Sequence, residues 1–219
     1  MIGFSEHLQR RIAQAGVIAV VTVREEAGAV ELAQVLSGAG IDAIELTLRT
    51  GTALECLRAV KKEVPQMLVG AGTVLSPGQV AAVREAGADF AVSPGCRPAV
   101  LAEAAEQHLA FAPGIATASD IENALAAGAN LLKYFPAETS GGLAHLRTVA
   151  APFHHLGLRF IPLGGIHEDS FCDYLREDLC LAIGGSWIAR PEEIAARDWE
   201  AISTKARRAR EKMETLSHA

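Results

Sequence analysis

Short apolar runs rich in Val, Ile, Leu and Ala alternate along the chain with longer stretches whose apolar residues recur every three to four positions. The short runs are VIAVVTV (17–23), AIELTL (43–48), MLVGAGTVL (67–75), FAVSPG (90–95), LAFAPGI (109–115), LLKYFPA (131–137), RFIPLGGI (159–166) and LCLAIGGS (179–186). Runs of this length and branched content predict buried strands, and the periodic stretches between them predict amphipathic helices. REEAGAVELAQVLSGAG, TALECLRAVKKEV and SPGQVAAVREAGA are examples of the second kind. The opening MIGFSEHLQRRIAQAG and the late DWEAISTKARRA predict two more amphipathic helices, one at each end.

The punctuation agrees with the pattern. Gly40, Gly87 and Gly128, in AGID, AGAD and AGAN, stand where a left-handed helix C-cap is expected, each directly before a strand. SPGQ and TASDIE place Ser or Thr ahead of an amide or an acid, the signature of a helix N-cap. Eight strand–helix units predict a parallel sheet, and eight is the number that closes into a TIM (β/α)8 barrel. An open doubly wound sheet is the competing arrangement, but no GxGxxG follows the first strand and the β-type runs continue evenly to the end. The reading is one α/β domain over residues 1–219, a (β/α)8 barrel with an N-terminal helix.

Composition sharpens this picture. Half the residues are hydrophobic but only 5% are aromatic, and there are 20 Gly, which suits helices packed closely on a sheet. The net charge is -6, and the one dense basic run, KARRAREK (205–212), is interleaved with Ala and Glu like a solvated helix face. A nucleic-acid partner is therefore not expected, and an anionic substrate would have to be held by local cations. No stretch reaches the roughly 18 consecutive apolar residues of a membrane helix, and the N-terminus does not resemble a signal peptide. Cys56, Cys96, Cys172 and Cys180 show no CxxC pairing, so free thiols and a cytoplasmic location are expected.

In a barrel of this kind, chemistry gathers at the C-terminal ends of the strands. Strand alternation puts Glu45, Thr47 and Arg49 on one side of AIELTLR, and Lys133 and Phe135 on one side of LLKYF. If those sides face the lumen, a Glu, an Arg and a Lys converge where branched apolar residues normally pack. A purely structural ion pair is one reading. The other is a buried lysine kept neutral and nucleophilic, able to attack a ketone or aldehyde and form a Schiff base. Glycine pairs ending the last two strands, in PLGGI and IGGS, suggest a phosphate site built on backbone N–H groups, with the Ser186 hydroxyl beside it. His154, His155 and His167 form no metal-ligand pattern, Trp187 and Trp199 read as packing residues, and no nucleophile elbow is present. The same residues leave open an isomerase with Glu45 as base, or a non-catalytic barrel that binds an anionic metabolite.

IELTLRT, VGAGTVL, AVSPG, PGI, LLKYFPAE, the GG of IPLGGI, and IGGSW occur in that order over about residues 10–205. In this the chain resembles the 2-keto-3-deoxy-6-phosphogluconate (KDPG) aldolases, which include bifunctional 4-hydroxy-2-oxoglutarate (KHG) aldolases. The resemblance implies a homotrimeric TIM-barrel lyase acting on a small phosphorylated 2-keto acid through a lysine Schiff base, with no metal and no other cofactor. Lys133 would form the Schiff base and Glu45 would be the acid/base. Arg49 and Thr73 would hold the pyruvyl carboxylate, while Pro94 and Phe135 would wall the pyruvyl pocket. Gly164, Gly165, Gly185 and Ser186 would bind the phosphate. Leu163 departs from the family's usual Thr in PTGGI, which implies weaker contacts at the far end of KDPG. HHLGL (154–158) looks longer than the family's usual connection.

Overall fold

The computed structural model describes residues 1–216. Its order is α1 (Glu6–Ala15), β1 (Val17–Val21), α2 (Glu26–Gly38), β2 (Ala43–Thr47), α3 (Ala53–Glu63), β3 (Leu68–Gly72), α4 (Pro77–Glu85), β4 (Phe90–Val92) and α5 (Pro98–Glu106). It continues with β5 (Phe111–Ala112), β6 (Gly114–Ile115), α6 (Ala118–Ala126), β7 (Leu131–Tyr134), α7 (Gly142–Ala150), a 3-10 helix (Ala151–Leu156) and β8 (Arg159–Pro162). It ends with α8 (Phe171–Leu175), β9 (Ile183–Gly185), α9 (Pro191–Ala196) and α10 (Trp199–Leu216).

All strand pairings are parallel, in the order β5-β4-β3-β2-β1-β9 for one sheet and β6-β7-β8 for the other. The single run expected at 109–115 is two short strands on either side of Pro113, because a proline has no N–H to donate to the ladder. Pro113 still accepts from the Lys133 N–H at 2.9 Å, so β7 follows this segment across the break. Isolated bridges Phe160↔Cys180 and Leu163↔Gly184 link the β8 side to the β9 side. The sheet is therefore curled, in two pieces that abut at Pro113.

Two apolar layers follow from strand alternation. Ile44, Leu46, Leu132 and Tyr134 point outward into the core beneath the surrounding helices. Ala43, Leu68, Phe90, Leu131 and Ile161 point inward, and Phe4, Ile12 and Ala15 from the N-terminal segment and α1 pack on them. Helix α1 thus covers the end of the curled sheet where the strands begin. Burying each of these larger side chains contributes about 1.5–3 kcal/mol. The N-terminal segment is tied down as well, since Asn130 accepts from the Phe4 N–H at 2.8 Å and donates to the Phe4 carbonyl at 3.0 Å.

The local signals work as their chemistry demands. Gly40, Gly87 and Gly128 have φ of 83°, 86° and 82°. Ser76 with Gln79 and Thr117 with Asp120 form reciprocal capping boxes at α4 and α6. The HHLGL stretch is accounted for by the 3-10 helix, which closes on Gly157 at φ 68°. Helix α10 carries the basic run, with Arg207, Arg208 and Glu211 exposed and Ala206, Ala209 and Met213 buried. All four cysteines are free. Among the described residues, no helix is long and apolar enough to cross a membrane.

Candidate active site

Strand β2 alternates so that Ala43, Glu45 and Thr47 share the inner face, and β7 does the same with Leu131 and Lys133. The lower inner positions are apolar and the next layer is charged. Lys133 Nζ lies 3.2 Å from Glu45 Oε1, with the two residues 5% and 3% exposed. The ammonium also stands 5.3 Å from the centre of the Phe135 ring. A pair this buried loses hydration that its mutual attraction only partly returns, so stability alone is a weak reason for its presence.

Gly72 makes room for this pair. A Cβ there would fall 2.0 Å from Glu45 Oε1, so any side chain at this position would push the carboxylate away. Beside Glu45, Thr47 is also buried, and its hydroxyl shares a 2.7 Å hydrogen bond with Thr22 at the end of β1. Neither Gly72 nor Thr22 stands out in the sequence, because their roles depend on neighbours some 25 residues away.

The other expected site residues gather at the C-terminal ends of the strands. Thr73 follows β3, half-buried, at φ 60°, where a β-branched side chain is strained. Pro94 follows β4 and is exposed, with Gly114 so close that a Cβ would meet the Pro94 carbonyl at 2.3 Å. Phe135 follows β7 and begins the cis Phe135–Pro136 peptide. Gly164 and Gly165 follow β8, both left-handed at φ 105° and 81°, and a Cβ on Gly164 would lie 3.2 Å from the Phe135 ring. Gly185 ends β9, and Ser186 after it is exposed. The space that side chains on Gly184 and Gly185 would take is filled by Leu163 and by the Trp187 ring.

One expectation needs correction. Arg49 does not join Glu45 and Lys133 in the buried lumen. Strand β2 ends at Thr47, so its alternation no longer governs Arg49, which is exposed and lines a cavity with Thr22, Arg24 and Arg197. The charged interior is therefore a Glu–Lys pair, with the arginine outside it.

Burial, and then Glu138, raise Tyr134 to about 12. Burial, and then Asp120, raise Cys96 to about 11. Among the described residues no group of three or more His, Cys, Asp or Glu is arranged to hold a metal ion.

Known proteins share this sequence pattern and this curled parallel sheet. Residues 8–205 match the family described as KDPG and KHG aldolase. The KHG/KDPG aldolase of Escherichia coli K12 is 42% identical over 193 residues, which span 88% of this chain and 90% of that protein. The 2-dehydro-3-deoxy-phosphogluconate aldolase of Dickeya dadantii is 40% identical over the same shares. The Zymomonas mobilis ZM4 KDPG aldolase structure with 3-phosphoglycerate superposes with a TM-score of 0.85 at 35% identity, covering 94% of this chain and 96% of that one. The Legionella pneumophila KDPG aldolase structure, with pyruvate captured at low pH as a covalent carbinolamine, gives 0.85 at 35% identity over 91% and 96%. The match spans nearly the whole chain in sequence and in fold alike, and this chain belongs to the KDPG and KHG aldolase family.

Proposed function

We propose that the chain is a metal-independent Schiff-base aldolase that cleaves KDPG to pyruvate and D-glyceraldehyde 3-phosphate, and KHG to pyruvate and glyoxylate. The observation that carries this reading is the buried Lys133–Glu45 pair, 3.2 Å apart on opposing inner strand faces. Family membership and a relative with pyruvate bound as a carbinolamine support it.

The chemistry follows from the residue types. Proton transfer from Lys133 to Glu45 frees an amine, which adds to the C2 ketone of the substrate. Glu45 returns the proton to the carbinolamine oxygen, water leaves, and an iminium forms. Loss of the C4 hydroxyl proton lets the C3–C4 electron pair move into the iminium, so the aldehyde departs and an enamine remains. Protonation at C3 and hydrolysis by water then release pyruvate and restore the amine. One carboxylate can serve in both directions because its proton is returned in each cycle.

In this reading Arg49 and Thr73 hold the pyruvyl carboxylate, with Pro94 and Phe135 as its walls. Gly164, Gly165, Gly185 and Ser186 receive the phosphate through backbone N–H groups and a hydroxyl. The sheet closes as a complete eight-stranded barrel of one catalytic domain, with the β5–β6 pair counting as a single strand. No cofactor is needed beyond the lysine, and the chain works as a homotrimer in the cytoplasm.

Borohydride reduction in the presence of pyruvate tests the core of this proposal. It should leave one reduced pyruvyl group on the peptide carrying Lys133, and Lys133→Ala should abolish both the adduct and cleavage. An active protein that forms no adduct would sink the Schiff-base reading. Retention of activity in EDTA is expected alongside.

A further inference from the structure

A cavity of about 510 Å³ lies among the ends of β1 and β2 and helix α9, and Thr22, the hydrogen-bond partner of Thr47, is part of its lining. Its apolar floor includes Val23 and Ile194, and three arginines, Arg24, Arg49 and Arg197, line it against the single acid Glu25. Arg197 is spoken for, since it bridges Glu25 and Glu31, each at 3.2 Å. That bridge also occupies the cavity's one carboxylate. Among the described residues, the side chains of Arg24 and Arg49 have no hydrogen-bond or ion partner. The cavity thus keeps two free guanidiniums in a chain whose net charge is -6.

The two are held in register. Thr50 donates to the Val23 carbonyl and Thr52 to the Arg24 carbonyl, both at 2.8 Å, while Thr22 and Thr47 share their 2.7 Å hydrogen bond just below. Three side-chain hydrogen bonds therefore tie the loop bearing Arg24 to the segment bearing Arg49. On its other side β1 pairs with β9, with Ala19 opposite Gly185. The loop after β1, which carries Arg24, therefore lies in strand order between the loop after β2, with Arg49, and the loop after β9, with Ser186. Backbone N–H groups and a serine supply no full positive charge to a terminal dianion, and Arg24, on the loop after the strand that pairs with β9, is a cation free to do so.

We propose that Arg24 binds the terminal anionic group of the 2-oxo acid, a phosphate or a second carboxylate, across the cavity from Arg49. The inference rests on the aldolase reading and adds to it a residue that determines specificity for charge at the far end of the substrate.

The test compares wild type, Arg24→Ala and Arg24→Lys on KDPG, on KHG, and on 2-keto-3-deoxygluconate, whose end is uncharged. Borohydride trapping of pyruvate alone accompanies the kinetics. Loss of a charge-assisted contact should raise the KM of Arg24→Ala for KDPG about tenfold or more, with partial recovery in Arg24→Lys. The rate with 2-keto-3-deoxygluconate and the trapping of pyruvate should stay within about twofold of wild type, because neither presents a distal anion. A KM rise for KDPG alone marks the bound group as phosphate, and a rise for KHG as well marks it as any terminal anion. Unchanged KM for both anionic substrates overturns the proposal. So does an equal loss on 2-keto-3-deoxygluconate or in pyruvate trapping, which would make Arg24 a structural or pyruvyl-end residue. A wild-type protein that traps no pyruvate and cleaves none of the three overturns the aldolase reading itself, and Arg24's role with it.

Discussion

At the scale of single residues, the site is shaped as much by missing atoms as by functional groups. Gly72 is the clearest case, because a methyl there would lie 2.0 Å from Glu45 Oε1 and force the carboxylate to move. Gly72→Ala should lower kcat by about a hundredfold, the lower range for loss of a general acid–base group, and slow borohydride trapping of pyruvate in parallel. A variant with wild-type kcat would mean that the carboxylate does not need this place. Leu163 works the other way, laying its side chain into the space beside Gly184. Leu163→Thr should lower KM for KDPG more than for KHG, at the expense of some packing, and equal effects on both would count against a distal role. Glu45 and Lys133 were legible from alternation along two short runs. Gly72, Thr22 and the freedom of Arg24 were not, since each depends on neighbours distant in sequence. Arg24 is free because Arg197 takes the adjacent Glu25 from 172 residues away.

At the scale of elements, the sequence was most readable where the rule is local. Left-handed glycines and Ser or Thr capping boxes marked helix ends within a residue or two, because the chemistry lies within one turn. Strand ends were less readable. The run at 17–23 stops as a strand at Val21, the one at 67–75 spans only Leu68–Gly72, and Pro113 divides another. Apolar character continues past the last ladder hydrogen bond, so composition overstates strand length, and this is also why Arg49 was expected in the lumen. The N-terminal segment offers an element-scale test. Asn130→Ala removes both partners of the buried Phe4 backbone, which should cost about 1–3 kcal/mol. A lower urea midpoint with an unchanged slope would show it, and no change would mean that the segment is held by packing alone.

For the molecule as a whole, two thiols, Cys180 buried and Cys96 half-buried, should make stability fall at high pH. Burial, and then Glu177, raise Cys180 from an ordinary 9.0 to about 12, and Cys96 rises to about 11. A folded value above the unfolded one means the folded chain holds its protons longer, so the stabilisation is complete below pH 9.0 and fades as pH rises towards 11 and 12. Melting temperature should therefore fall across this window, and Cys180→Ala should flatten the slope. An equally steep fall in that variant would assign the loss to other groups. The curled parallel sheet was foreseeable from eight evenly spaced apolar runs, but how its two pieces meet was not.

Helix α1 fills the end of the sheet where the strands begin, so a substrate approaches Lys133 from the end where the strands stop. Traffic through that end has an order. On the proposed mechanism pyruvate stays bonded to Lys133 while the aldehyde lies on the outer side, so the aldehyde leaves first. Product-inhibition patterns should show it: pyruvate competitive with the keto acid, and the aldehyde noncompetitive. The reverse pattern would mean a second way out.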